Sequence, residues 1–265
     1  MIGAIIGDII GSVYEWKNIK TTEFPLFSKR CGPTDDSVMT IAVAKALMDT
    51  MGQDEARIFE ALVEEMQYFG RMYPDAGYGG TFRHWLRAKN PQPYNSFGNG
   101  SGMRVSAAGW LYPTLEETRK MAKLTAVTTH DHPEGVKGAE SVASAIFLAR
   151  TGAGKPEIKK YIEDEFHYNL DTPLDAIRPT YVFDVTCQGS VPQAIRAFLE
   201  GTDYESAVRL AISIGGDSDT IGCMAGGMAE AMYGVPKEIQ KTGLSFLPEP
   251  LREQVERFRQ EYYRK

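Results

Sequence analysis

Apolar residues recur with helical spacing along most of this sequence. Stripes of this kind run through residues 2–13, 39–47, 58–69, 142–149, 207–214, 221–232 and 251–262. Apolar positions at i, i+3, i+4 and i+7 are typical of amphipathic helices, so the pattern predicts helices through most of the chain. Only residues 181–187 resemble a strand, and one short strand cannot build a sheet. A doubly wound α/β fold is therefore excluded, and the predicted class is all-α.

The chain carries no obvious boundary between domains. It has no low-complexity linker, no block of like charge and no repeat at a fixed period. The stretch 90–102 is rich in Pro, Gly and Asn, but its length is that of a functional loop inside one domain. We therefore expect a single domain over residues 1–265.

Charge and targeting signals narrow the class of protein. Twenty-nine Lys and Arg face 35 Asp and Glu, and the net charge of −6 argues against non-specific binding to nucleic acid or anionic membranes. The apolar run 2–13 lacks a basic leader and contains Asp8, so it predicts neither a signal peptide nor a membrane span. Three widely spaced cysteines argue against a disulfide framework. We expect a cytoplasmic protein.

Two acidic clusters stand where apolar helices are predicted to begin, at 34–37 (Thr-Asp-Asp-Ser) and 217–220 (Asp-Ser-Asp-Thr). One interpretation is that both are N-caps, which accept bonds from unpaired helix amides. However, a cap needs one oxygen, and each cluster carries two carboxylates. If the clusters meet in space, their repulsion requires protons or cations. Oxygen-only ligands favour Mg²⁺ or Mn²⁺.

Further candidate residues lie near the first helix. Gly3, Gly7 and Gly11 recur every four residues, which suits either tight helix packing or the approach of a ligand. Asp8 and Glu15 are seven residues apart and share one face. Glu15 is therefore either a surface charge or part of a site.

Two loop motifs offer polar groups to a ligand. The glycines at 98, 100 and 102 expose amides and Arg104 adds donors, which suits phosphate oxygens, although many glycine-rich turns bind nothing. Phe97 beside them can stack on a base or simply pack. His130 and His132 stand in a turn before a predicted helix. They suit either zinc binding or, with fewer assumptions, structural or substrate hydrogen bonds.

The order of these motifs closely resembles that of the ADP-ribosylglycohydrolases, including the dinitrogenase reductase-activating type. The resemblance covers roughly residues 1 to 235. Its most specific part is the pair of acidic motifs at their separation in the chain. The matching segments are 7–15 (Gly-Asp-x-x-Gly with Glu15), 34–37, 77–80, 98–104, 129–134 and 215–222.

The resemblance implies a compact orthogonal helical bundle and a glycosidase that releases ADP-ribose from protein-linked or small-molecule conjugates. It also implies a binuclear centre of two Mg²⁺ or Mn²⁺ ions, with Asp219 as the bridging ligand. The implied metal ligands are Thr34, Asp35, Asp36, Asp217, Asp219 and Thr220.

The resemblance also assigns the substrate contacts and catalytic groups. Phe97 would lie against the adenosine, and Glu15 corresponds to a mobile acidic residue near the ribose in some members. The implied ADP-ribose contacts are Ser96, Phe97, Gly98, Asn99, Gly100, Met103, Arg104 and His130. The implied catalytic carboxyls are Glu15, Asp36 and Asp219, with Asp75 as a further acid/base candidate.

One departure and one alternative remain open. The family often has a proline three residues after Arg104, where this chain has Ala107, and this puts the stiffness of the loop and the substrate preference in question. The alternative function is a catalytically silent ADP-ribose-binding or structural relative, against which the intact acidic clusters argue. The partner expected for the enzyme is an ADP-ribosylated protein or a small conjugate.

Overall fold

The helices predicted from the apolar stripes are present in the computed structural model, which describes residues 1–262. The all-α class is confirmed, since the described residues form helices and loops with no named strand. The helices are α1 (Ile2–Gly11), α2 (Asp35–Asp49), α3 (Glu55–Met72), α4 (Gly80–Arg87), α5 (Gly100–Met103), α6 (Ser106–Leu111), α7 (Leu115–Val127), α8 (Pro133–Arg150), α9 (Lys155–Phe166), α10 (Leu174–Ile177), α11 (Cys187–Glu200), α12 (Tyr204–Ser213), α13 (Ser218–Tyr233), α14 (Lys237–Leu244) and α15 (Glu249–Tyr262).

The segment that resembles a strand forms a loop before α11. It pairs with the glycine-rich loop through an isolated antiparallel bridge between Gly98 and Thr186. The amide of Asn99 donates to Val185 O at 2.8 Å, and the amide of Cys187 donates to Phe97 O at 2.9 Å. The extended character of the segment thus serves to hold one loop against another.

Helices α1 and α13 form the centre of the molecule. All ten residues of α1 are buried, as is α13 from Ser218 to Glu230. A helix buried on every side belongs to the core of a protein, which explains why the sequence of α1 is apolar apart from Asp8. Buried apolar side chains from Met1 to Phe258 pack into one connected core around this pair. Across residues 1–262, no helix combines the length and apolarity that a bilayer span requires.

Glycines allow α1 and α13 to touch along their backbones. A Cβ placed on Gly3 would lie 2.5 Å from Gly226 O, and one placed on Gly7 would overlap the carbonyl of Gly222. A Cβ on Gly11 would lie 2.5 Å from the Cα of Asp219. Tight helix packing is therefore the role of this glycine series. The same contact brings the polar face of α1 to the first turn of α13.

We expect Gly7→Ala to destabilise the protein by about 3 kcal/mol or more, the upper end of overpacking costs, because the new methyl group meets backbone that cannot rotate away. Gly32→Ala is the matched control, since a Cβ there meets no atom within 4 Å. Urea unfolding monitored by circular dichroism measures both. Equal stability of the two variants would contradict this description of the α1–α13 contact.

Candidate functional site

The two acidic clusters meet at the first turns of α2 and α13. The hydroxyl of Thr220 donates to Asp36 Oδ2 at 3.3 Å, although the two residues are 184 positions apart. Carboxylate oxygens of Asp8, Asp36 and Asp219 lie within 4.8 Å of one another, and all three residues are buried. The sequence motifs therefore come together as one group of carboxyls.

A second cluster of carboxyls adjoins the first cluster. Glu15, Asp217 and Asp219 offer oxygens that also lie within 4.8 Å of one another. Asp219 belongs to both groups, which is the position that the resemblance gives to a bridging ligand. Asp35 lines the same cavity as Glu15 and Asp217.

The N-cap interpretation holds for one cluster and fails for the other. Thr34 caps α2, since its Oγ1 accepts from the Asp36 amide at 3.3 Å. The same hydroxyl donates to Asp8 Oδ1 at 2.7 Å. Asp217 precedes α13 but makes no capping bond, and instead accepts from Asn99 Nδ2 at 2.7 Å. Its carboxylate thus links the glycine-rich loop to the carboxyls at the start of α13.

Asp8 is a member of the site to which the sequence analysis gave no role. It accepts from the Thr34 amide at 3.0 Å, from the Ser37 amide at 3.0 Å and from both residues' hydroxyls. These bonds tie α1 to the start of α2. The sequence signal was a single aspartate inside an otherwise apolar stripe, because a buried charge needs partners.

Burial raises the pKa of every carboxyl in the two groups. The pKa of Asp8 rises to about 6 despite its four hydrogen bonds. Burial, followed by the charges of neighbouring carboxylates, raises the pKa of Glu15 to about 7 and that of Asp35 to about 8. The same causes raise the pKa values of Asp36 and Asp219 well above the ordinary range. Crowded carboxyls of this kind hold protons unless cations replace them.

The donor set fits a hard divalent cation. Asp36 Oδ1 is buried and has no hydrogen-bond partner, so one carboxylate oxygen is left without a donor. Within the described chain, the His, Cys, Asp and Glu groupings close enough to hold a metal consist of carboxyls alone. Oxygen-only sites suit Mg²⁺ or Mn²⁺. Zinc binding by the histidine turn gains no support, since His132 accepts from the Glu134 amide at 3.1 Å and caps α8.

The carboxyls line a cavity of about 460 Å³. The lining also includes most of the predicted ADP-ribose contacts, namely Ser96, Gly98, Asn99, Gly100, Met103, Arg104 and His130. The sequence analysis gave no role to other lining residues from three loops and α4, among them Trp16, Thr81, Phe82, Tyr94, Phe183 and Val185. No local sequence pattern marks these residues, because they reach the cavity only through tertiary packing.

His130 is held close to the glycine-rich loop. A Cβ on Gly100 would lie 3.1 Å from His130 Nε2, so only a glycine fits there without displacing the ring. His130 Nδ1 lies 2.6 Å from the hydroxyl of Thr129. Burial, followed by the charge of Arg104, lowers the pKa of His130 far below its ordinary value. The ring is therefore neutral at pH 7 and can donate or accept a hydrogen bond without adding charge.

Arg104 donates hydrogen bonds to groups inside the protein. It is 1% exposed, and its Nη2 donates to Thr125 O at 3.0 Å and to the Thr129 hydroxyl at 2.8 Å. Its Nε is buried without a partner. Arg104 therefore fixes the loop that carries His130, and a contact with phosphate stays a prediction. Ala107, the departure from the family pattern, is fully buried in α6.

Three of the predicted residues lie outside the cavity lining. Phe97 is 44% exposed and packs edge-on against His132. Asp75 is exposed on the loop that precedes α4. Thr34 lies behind the lining, where it bonds to Asp8. Their assigned roles in adenosine binding, proton transfer and metal binding stay predictions.

The chain matches known proteins over most of its length. The family model for ADP-ribosylglycohydrolase matches residues 1–265. The chain is 27% identical to ADP-ribosylhydrolase ARH3 of Mus musculus, over 91% of this chain and 85% of that one. It is 25% identical to ADP-ribosyl-[dinitrogen reductase] glycohydrolase of Rhodospirillum rubrum, over 88% and 84% of the two chains. A solved structure of an ADP-ribosylglycohydrolase-related protein complex shares the fold, with a TM-score of 0.68, 22% identity and coverage of 96% and 94%.

We expect the thermal midpoint of chelator-treated protein to fall by roughly 5–10 °C between about pH 5 and pH 8. The raised pKa values of Asp8, Glu15 and Asp35 mean that the folded state binds more protons than the unfolded state in this range. Stability therefore declines as pH rises through those values. Asp35→Asn should make the fall smaller, whereas Asp75→Asn, at an exposed carboxyl, should not. A midpoint that rises with pH would contradict the crowding of charge.

Proposed function

This chain belongs to the ADP-ribosylglycohydrolase family, and from that premise we propose that it is a metal-dependent glycosidase that cleaves the C1″ glycosidic bond of ADP-ribose conjugates and releases ADP-ribose. The observation that carries the proposal is the convergence of Asp36 and Asp219, from opposite ends of the chain, on one buried group of carboxyls. The cavity beside this group is large enough for a small ligand.

We propose that the site holds two divalent ions, Mg²⁺ or Mn²⁺. Two clusters of carboxyls share Asp219, which is the arrangement expected for a pair of ions. Asp36 Oδ1 has no hydrogen-bond partner, which favours a cation beside it. When bound, such ions orient the ribose hydroxyls and lower the pKa of a water molecule. The proposed ligands are Thr34, Asp35, Asp36, Asp217, Asp219 and Thr220. Asp8 orients Thr34 and Ser37 from behind them.

The glycine-rich loop is placed to hold the ADP-ribose. Asn99 Nδ2 is already bonded to Asp217, which leaves the amide oxygen of Asn99 to accept from a ribose hydroxyl. The backbone of Gly98 and Gly100 can approach a ligand closely because neither residue has a side chain. We propose that this loop, with Ser96, Met103, Arg104 and His130 from the predicted set, binds the diphosphate and ribose, and that Phe97 at the rim contacts the adenosine.

Glu15 is the carboxyl best placed to move a proton. It lies in the cavity wall, half-buried, beside Asp217 and Asp219. Without cations, burial followed by the charges of Asp217 and Asp8 raises its pKa to about 7. A half-buried carboxyl in the cavity wall has the position that general acid–base catalysis requires. When the leaving group departs from C1″, the ribose develops oxocarbenium character. Proton transfer to a poor leaving group assists that step. Asp75 is the alternative candidate, although it is exposed and outside the cavity lining.

A substrate panel tests the proposed activity. Arginine-linked, serine-linked and O-acetyl ADP-ribose conjugates are incubated with the protein plus Mg²⁺ and then Mn²⁺, and released ADP-ribose is measured by chromatography. We expect release from at least one conjugate that stops with a chelator and returns when metal is restored. Tight binding of ADP-ribose without release from any conjugate would instead identify a silent relative. Full activity in chelator would overturn the metal requirement.

Three variants separate the proposed roles of the carboxyls. We expect Asp219→Ala to lower kcat by about three orders of magnitude or more, and Glu15→Gln by about 10²-fold. Asp75→Asn removes one charge, as Glu15→Gln does, and is the matched control. Because Asp75 lies outside the cavity lining, the kcat of this variant should stay within about twofold of the parent value. Helical content by circular dichroism should be unchanged in all three. A large loss of kcat in Asp75→Asn would move the acid/base role to that residue.

A further inference from the structure

One continuous part of the chain lacks acidic residues altogether. From Ala76 to Leu115 there is no Asp or Glu, although 35 of the 265 residues are acidic. This stretch supplies many of the residues that line the cavity, from Gly77 to Arg104. Gly80, Thr81 and Phe82 of α4 belong to the lining, and the later residues of α4 lie outside it.

The exposed side of α4 carries unpaired positive charge. Phe82, Trp85 and Leu86 are buried, whereas Arg83 and Arg87 are exposed. Lys89, just beyond the helix, is also exposed. Arg83, Arg87 and Lys89, which we name the α4 cationic face, form no ion pair within residues 1–262.

Two other exposed arginines have acidic partners. Arg57 pairs with Glu60 and Glu64, and Arg259 pairs with Glu256. Within the described chain, exposed cations without an ion pair also occur at Lys29 and Arg30 and on α14. The α4 cationic face differs from these in its position next to the cavity, on a chain whose net charge is −6.

The α4 cationic face begins at the mouth of the cavity. Gly80, Thr81 and Phe82, in the first turn of α4, line the cavity. Arg83 and Arg87 are one turn apart on the same side of the helix. The helix has eight residues and so is about 12 Å long. An extended peptide covers that distance with about four residues. A polypeptide attached to an ADP-ribose in the cavity can therefore reach both arginines.

We propose that the α4 cationic face binds an acidic segment of the ADP-ribosylated protein, next to the modified residue. This inference rests on the proposed function, and it adds a class of protein substrate to it. The ADP-ribose occupies the cavity, and the acidic segment lies outside it along α4. Charge complementarity at a rim of this kind sets orientation and association rate.

An acidic polypeptide fits the surface better than a nucleic acid does. Single-stranded nucleic acids bind to surfaces where aromatic side chains stack on the bases. None of the exposed large hydrophobic residues of the described chain lies in α4 or at 88–89. The α4 cationic face therefore offers charge without a stacking platform.

A pair of charge reversals tests the inference. Arg83→Glu with Arg87→Glu is compared with Lys237→Glu with Lys241→Glu on α14, which also has eight residues, exposes both lysines and gives them no ion pair. With an acid-flanked ADP-ribosylated peptide, we expect the α4 variant to raise KM about tenfold and leave kcat within about twofold. Its KM for a small ADP-ribose conjugate should not change. The α14 variant should match the parent on both substrates.

A binding assay gives a readout that does not depend on catalysis. The anisotropy of a fluorescent, unmodified acidic peptide should rise with the parent and the α14 variant, weaken with salt, and show no binding to the α4 variant. Three results would overturn the inference. They are an equal rise in the KM of the α4 variant for the small conjugate, unchanged binding of the acidic peptide by the α4 variant, and tighter binding of a DNA oligonucleotide of the same charge by the parent. If the parent releases ADP-ribose from no conjugate, the proposed function fails, and the anisotropy result still decides whether the α4 cationic face binds acidic peptide.

Discussion

Repulsion among buried carboxyl groups is the constraint on which the site depends. Asp8, Asp36 and Asp219 come from three different helix regions, yet their oxygens lie within 4.8 Å of one another. Such a group is stable only if protons or cations neutralise it. The first turns of α2 and α13 reduce the repulsion in part, since their free amides carry partial positive charge. The repulsion that remains makes the site suited to divalent cations.

The helix packing explains how so costly a group can form. Gly7 and Gly222 let α1 and α13 meet along their backbones, and Gly11 brings the end of α1 against Asp219. The apolar residues of both helices are buried in the common core. Burial of this apolar surface stabilises the fold enough to hold the carboxyls in place. The same rigid pair fixes the loop that carries Glu15, so the proposed metal ligands and the proposed acid/base group share one support.

The convergence of the two acidic motifs was implied by the family resemblance, and the structure brings them together. The sequence predicted the helices directly, because helical spacing is a local pattern. It could not predict what depends on tertiary packing. Asp8 looked like an interruption of an apolar stripe, and only the approach of α2 shows that it accepts four hydrogen bonds. Arg104 looked like a free phosphate donor, whereas its Nη2 is bonded to threonines inside the protein. Which side of a loop faces a cavity, as for Asp75 and Phe97, cannot be read from spacing.

The central claim is that the clusters at 34–37 and 217–220 hold metal between them, and anomalous diffraction from manganese-soaked crystals tests it most directly. We expect peaks at the manganese absorption edge bounded by the carboxyl groups of Asp36, Asp217 and Asp219, and their loss in Asp219→Ala crystals. A map with no anomalous peak among these carboxyls, from crystals that diffract well and bind manganese elsewhere, would contradict the claim.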